Sequence, residues 1–147
     1  MRATRSGSEM WAAEHRIETT APREAIWRLW ADVHGWPEWN ADLANAELDG
    51  EFRPGSTIRM TSVEGEVVEL RIAETDEPVL FVDEADLGGV TVRTTHRVDR
   101  VEGDRVRIAY RMEITGPEAD TLGPELGPQI SGDFPDVLRA LAARAEG

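Results

Sequence analysis

From Asp42 to Thr115 the chain is cut into short segments by turn-forming pairs: Asp49-Gly50, Pro54-Gly55, Glu64-Gly65, Glu77-Pro78, Gly88-Gly89 and Glu102-Gly103. Glycine admits positive φ and proline fixes φ, so each pair interrupts regular structure where it falls. What lies between has strand length, giving six strands near residues 42–49, 56–63, 66–75, 78–85, 90–101 and 104–115. Hairpin-length loops make neighbouring strands antiparallel, so this stretch reads as a meander. A sheet of that kind must bury one face, and the flanking segments have to supply its cover.

The last hairpin is the most legible. Val90, Val92, Thr94, His96 and Val98 alternate onto one face, and Val106, Ile108, Tyr110, Met112 and Ile114 form its counterpart. Arg93, Arg97, Asp99, Arg105, Arg107, Arg111 and Glu113 fall on the other side, mixed in sign as on a solvated surface. A loop of three residues, Glu102 to Asp104, keeps like faces together. It sets His96 opposite Tyr110 and Thr94 beside Met112.

Before the meander, Trp11, Ala13, His15 and Ile17 alternate with polar residues, the period of a half-buried strand over 11–19. Pro22 then suits the first position of a helix that carries Ile26, Leu29, Trp30 and Val33 at helical spacing. Gly35 and Pro37 leave room for one further short turn bearing Trp36 and Trp39 as a lid or plug. After Gly116-Pro117, Leu122, Leu126, Ile130, Phe134, Val137, Leu138 and Leu141 recur at three and four, as on a long amphipathic helix. Pro124, Pro128, Pro135 and Gly123, Gly127, Gly132 predict that its first half is kinked or broken, with a regular stretch over 136–145.

The 147 residues are enough for one core, so residues 10–147 are expected to form a single domain after a flexible tail over 1–9. A formal charge of −13 repels polyanions and anionic membranes, which argues against nucleic acid as a partner. No apolar run approaches the ~18 residues of a spanning helix, so no membrane insertion is expected. The tail lacks an apolar stretch after its arginines, and a cytoplasmic location is the expectation. The chain has no lysine and no cysteine, which excludes Schiff-base, P-loop and thiolate chemistry. His15 and His34 lack companions at metal-ligand spacing, and no Ser-His-Asp pattern occurs, so neither a metal nor another cofactor is expected.

An α+β arrangement with a strand, two short helices, a six-stranded meander and a closing helix leaves space inside if the sheet curls around the helix. In Ala21-Pro22, Ile26-Trp27, Trp36-Pro37-Glu38-Trp39-Asn40, Gly50 with Pro54-Gly55, and Thr115-Gly116-Pro117, the chain resembles the helix-grip superfamily of START and plant-allergen proteins. It is most similar to the bacterial branch of polyketide cyclase/dehydrase-like proteins. The resemblance implies a seven-stranded antiparallel curved sheet wrapped around a long C-terminal helix, and an internal pocket for an apolar or aromatic small molecule.

Within that frame, an inward His96 serves as general acid or base, with Tyr110 bonding a substrate oxygen, or the two satisfy each other in the core. A buried carboxyl at Asp83 or Glu84 would be a proton donor; Phe81 favours the face holding Asp83, while a solvated carboxylate is the plainer outcome. Trp36 and Trp39 border the pocket mouth, whereas Trp27 and Trp30 fill core. Phe81, Thr94, Met112, Leu126, Ile130 and Phe134 complete the expected wall, and Gln129 and Asp133 would orient the ligand or face water. Two readings follow: a polyketide-type cyclase or dehydratase using His96 and Tyr110, and a non-catalytic carrier of a hydrophobic molecule. Monomer and homodimer both remain open.

Overall fold

The computed structural model describes residues 10–147, and the tail expected over 1–9 lies outside them. Every predicted strand forms, with ends displaced by at most two residues: β1 (Met10–Thr19), β2 (Leu43–Asp49), β3 (Thr57–Ser62), β4 (Val67–Asp76), β5 (Leu80–Asp86), β6 (Thr91–Arg100) and β7 (Val106–Thr115). They make one antiparallel sheet in the order β1-β7-β6-β5-β4-β3-β2. The meander runs from β2 to β7, and β1 lies beside β7 in continuous register from Met10 opposite Thr115 to Thr19 opposite Val106. The fold is the curved seven-stranded sheet of the helix-grip class.

The β6–β7 register is the predicted one, with His96 opposite Tyr110 and Thr94 opposite Met112. Its alternation sends Val92, Thr94, His96 and Val98 inward with Ile108, Tyr110, Met112 and Ile114. The outer face carries ion pairs, among them Arg105 and Arg107 on Glu18 at 3.1 and 3.2 Å and Arg97 on Asp99 at 2.8 Å. These pairs are exposed and contribute little to stability individually.

Helix α1 (Arg23–Ala31) is shorter than the sequence suggests, and Val33 belongs instead to a 3-10 turn, Val33–Glu38. That turn is held to α1 by the Trp36 indole N–H, which donates to the Trp30 carbonyl at 3.0 Å. The C-terminal helical segment consists of α2 (Ala119–Ser131) and α3 (Phe134–Glu146). Its interruption falls at Gly132-Asp133, and Pro124 and Pro128 are accommodated within α2.

Gly123 and Gly127, which read as helix breakers, have another role. A Cβ on Gly123 would lie 2.6 Å from the Trp11 Cβ, and one on Gly127 would overlap the Trp11 ring. Helix α2 therefore lies directly on β1 because two successive turns lack side chains there. Gly116, at φ 117°, permits a similar approach, since a Cβ on it would come within 2.8 Å of the Gly89 carbonyl oxygen.

Two apolar cores result. The larger joins α1, the 3-10 turn and α3 to β2–β7 through residues such as Trp30, Ile58, Phe81, Ile108 and Leu138. The smaller packs α2 onto Val90, Val92, Met112 and Ile114, with Trp11, Leu122 and Leu126 against them. No helix is long and apolar enough to cross a membrane among the described residues.

The packing of α2 on Trp11 opposes helix propensity, so its worth is measurable. Alanine gains ~1 kcal/mol over glycine in a helix, but overpacking a rigid ring costs ~1–3 kcal/mol. Gly127→Ala is expected to lower the unfolding free energy in denaturant titrations. In a Trp11→Ala background the same substitution should instead stabilise; a penalty that survives loss of the ring would contradict this packing.

Candidate functional site

A cavity of about 260 Å³ lies between the two cores, under the concave face of the sheet. Its wall grades from buried to exposed. Trp30, Phe81, Asp83, His96 and Tyr110 are buried, Asn40, Leu43, Met60 and Asp133 are half-buried, and Asp42 and Leu87 are exposed at the mouth. Both cores contribute, with Val137 and Leu70 from the larger and Val92, Ile130 and Phe134 from the smaller edge.

Three adjacent strands build the inner end of this cavity by register alone. Phe81 on β5 pairs with His96 on β6, which pairs with Tyr110 on β7; Asp83 pairs with Thr94 one step along. Successive strand residues face opposite sides, and that separates the two carboxylates the sequence left open. Asp83 points into the cavity and is 5% exposed. Glu84 points outward between Arg71 at 2.7 Å and Arg93 at 2.5 Å, and those guanidiniums hold its carboxyl below the usual range. The solvated-carboxylate outcome therefore applies to Glu84 and fails for Asp83.

His96 is stacked on Phe81, with ring centroids 3.9 Å apart, and its Nδ1 lies 3.3 Å from the Phe81 carbonyl oxygen. A carbonyl only accepts, so Nδ1 carries the proton and Nε2 presents its lone pair to the cavity. The nearest Asp83 oxygen is 3.9 Å from Nε2, beyond a direct hydrogen bond. Among the described residues the Asp83 carboxyl has no hydrogen-bond partner, although it is buried. Tyr110 accepts a hydrogen bond from the Trp30 indole N–H at 3.1 Å, which leaves its own O–H to donate. His96 and Tyr110 meet edge to face at 4.5 Å without bonding one another, so neither satisfies the other as a closed core pair.

Burial sets the protonation of this group. Desolvation, reinforced by the nearby Glu84 charge, pushes Asp83 from 3.8 up to about 7. Desolvation takes His96 from 6.5 down to about 3, against a smaller opposite effect of the Phe81 carbonyl. Tyr110 is raised well above its ordinary value, again by burial. Below about pH 7, Asp83 and His96 at 3.9 Å are consequently a neutral acid beside a neutral imidazole, not an ion pair.

Of the other residues expected at the site, Trp36, Trp39, Phe81, Asp83, Thr94, Ile130, Asp133 and Phe134 line the cavity. Met112, Leu126 and Gln129 do not. Met112 faces inward but is fully buried in the smaller core, where α2 fills that end of the sheet, and Leu126 packs onto the same core. Gln129 lies on the exposed side of α2. Trp30, expected only in the core, also borders the cavity, as do Asn40, Asp42 and Met60. Asp42 was not singled out because its contact with Asp133 joins distant parts of the chain; only its place beside the tryptophan segment hinted at it.

No curated protein matches the sequence. Among solved structures, an aromatase/cyclase, Zhui, from a Streptomyces species is similar with a TM-score of 0.74 at 17% identity, over 92% or more of each chain (93% of this chain and 94% of that one). A norcoclaurine synthase point mutant from Thalictrum flavum gives 0.73 at 18% identity, covering 92% and 94% of the two chains. Ara h 8.0201 gives 0.76 at 14% identity, covering 92% and 97%. At such identities the likeness is one of fold. A family model described as "Polyketide cyclase / dehydrase and lipid transport" matches residues 10–146. With almost the whole described domain matched, the chain belongs to the polyketide cyclase/dehydrase and lipid-transport family.

Proposed function

We propose that the protein encloses a small aromatic or apolar carbonyl compound and promotes aldol-type ring closure and dehydration, with Asp83 carrying the proton. The observation that supports this most is an unpartnered, buried carboxyl facing a largely apolar cavity with tryptophan, phenylalanine and tyrosine rings in its wall. At about 260 Å³ the cavity is near the lower end of the ~300–1,000 Å³ usual for ligand pockets, which suits a guest of one or two rings.

The sequence pointed to His96 and Tyr110 as the proton shuttle. A value of about 7 makes Asp83 the better matched acid and base near neutrality, whereas His96 at about 3 is a weak base. In this mechanism the Asp83 carboxylate takes a proton from the carbon beside one carbonyl, and the enolate carbon bonds to the second carbonyl carbon. The new alkoxide receives the Tyr110 hydrogen bond and takes the proton back from Asp83. A second removal beside the first carbonyl, with the same proton passed to the departing hydroxyl, releases water. His96 Nε2, whose nearest Asp83 oxygen is 3.9 Å away, accepts from the guest and fixes its orientation. The wall holds the reacting carbons close, which supplies part of the acceleration.

A non-catalytic carrier would use the same polar groups only to orient its cargo, and one experiment separates the two. With a linear diketone that closes to an absorbing cyclohexenone, Asp83→Asn is expected to lower the catalysed rate by ~10²–10⁴. Its binding of the neutral two-ring fluorophore 2-naphthol should change far less. Wild-type protein that binds the fluorophore yet leaves the diketone at its buffer rate would favour the carrier.

Protonation of the pair also makes a stability prediction. Native Asp83 keeps its proton to about 7, so its contribution falls as pH rises from 3.8 to about 7. Native His96 refuses a proton the unfolded chain binds, so its contribution rises with pH between about 3 and 6.5. Between pH 4 and 6.5 the two cancel, at up to ~1.36 kcal/mol per pH unit each. Relative to wild type, Asp83→Asn should therefore gain stability with rising pH in denaturant titrations, and His96→Gln should lose it. Difference slopes of the same sign would refute the neutral pair.

A further inference from the structure

The cavity mouth carries two carboxyls from distant parts of the chain. Asp42 lies in the turn before β2, where its N–H donates to Asn40 Oδ1 at 3.1 Å and its carbonyl accepts from the Val63 N–H at 3.0 Å. Asp133 lies at the α2–α3 junction, where its carbonyl accepts from the Val137 N–H at 2.9 Å. The backbone thus fixes both positions, and the side chains hydrogen-bond to each other. Two carboxyls in such contact must share a proton or a cation.

No arginine takes that place. Among the described residues no arginine lines the cavity or lies within ion-pair distance of Asp42 or Asp133, and the nearby Arg139 is paired with Asp136. The chain has no lysine at all. A second, independent feature faces the same space: the Asp83 carboxyl, buried and without a partner. Every ionisable group lining the cavity is thus acidic apart from His96.

Resting on the reading that the cavity holds a small aromatic guest, we propose that this guest carries an ammonium group, which seats between Asp42 and Asp133 at the mouth while its rings occupy the apolar interior. The mouth is the place for the charge because it stays partly hydrated. An ammonium carried to Asp83 would lose its water entirely, which a buried pair seldom recovers. Asp83 is left to meet a carbonyl or hydroxyl at the inner end. Burial first, and then the contact with Asp42, raise Asp133 to about 7, and the proton held there is the one the ammonium replaces. Carboxylate- or phosphate-bearing compounds are disfavoured by the negative charge of the Asp42–Asp133 pair, which has no basic partner to offset it.

Three probes on one naphthalene scaffold test this: 2-naphthylmethylamine, 2-naphthylmethanol and 2-naphthoate, titrated calorimetrically at about pH 8, where an alkylammonium remains charged. The amine is expected to bind about tenfold or more tighter than the alcohol, and the acid weakest. In Asp42→Asn/Asp133→Asn the amine-to-alcohol ratio should fall to near one. Asp133 makes no side-chain capping bond at the start of α3, so asparagine removes none, and a melting curve checks the fold. An alcohol that binds as tightly as the amine overturns the proposal and leaves the cavity reading intact. A preference that survives the double substitution overturns the assignment to Asp42 and Asp133. If none of the three binds, the cavity reading fails and the proposal with it.

Discussion

The pairing of β5 with β6 fixes everything inside this protein. A slip of β5 by one residue would turn Asp83 outward and bring Glu84 under the sheet, away from Arg71 on β4 and Arg93 on β6. The register is held from both sides, because β6 is also locked to β7 through the His96–Tyr110 row and β7 to β1 over ten successive pairs. One row thereby supplies Phe81, His96 and Tyr110, and the next supplies Asp83 and Thr94. Chemistry that needs an acid, an imidazole and a phenol in one place needs no loop to assemble them.

Space for a guest follows from how the helices close over that row. Helix α2 is pulled onto Trp11 by Gly123 and Gly127, and α3 packs with α1 and the tryptophans of the larger core. The interruption at Gly132-Asp133 lies between these two seats. Phe134, immediately after it, packs against both cores and faces the cavity. The void thus belongs to the junction of two well-packed regions, and the same junction puts Asp133 at its mouth.

Much of this was legible in the sequence, for local reasons. Turn pairs delimited the strands, and strict alternation with a three-residue loop specified the His96–Tyr110 register. Parity along β5 was not legible, since Phe81, Val82 and Ala85 are all buried and put apolar residues on both faces; only pairing with β6 decides it. Gly123 and Gly127 looked like breakers because their partner, Trp11, is at the far end of the chain. Met112 was correctly turned inward, yet which inward residues border a void depends on where α2 stops filling it. The strong burial of His96, which moves proton chemistry to Asp83, likewise depends on packing from several elements at once.

The protonation of Asp83 is the quantity to measure. Carboxyl carbon resonances of aspartate-labelled protein, followed through a pH titration, would report it, with Asp83→Asn identifying the signal and separating it from Asp133. A resonance titrating near 7 that disappears in this variant is the expected result. An Asp83 signal titrating near the ordinary value of about 3.9 would contradict a buried, neutral acid facing the cavity.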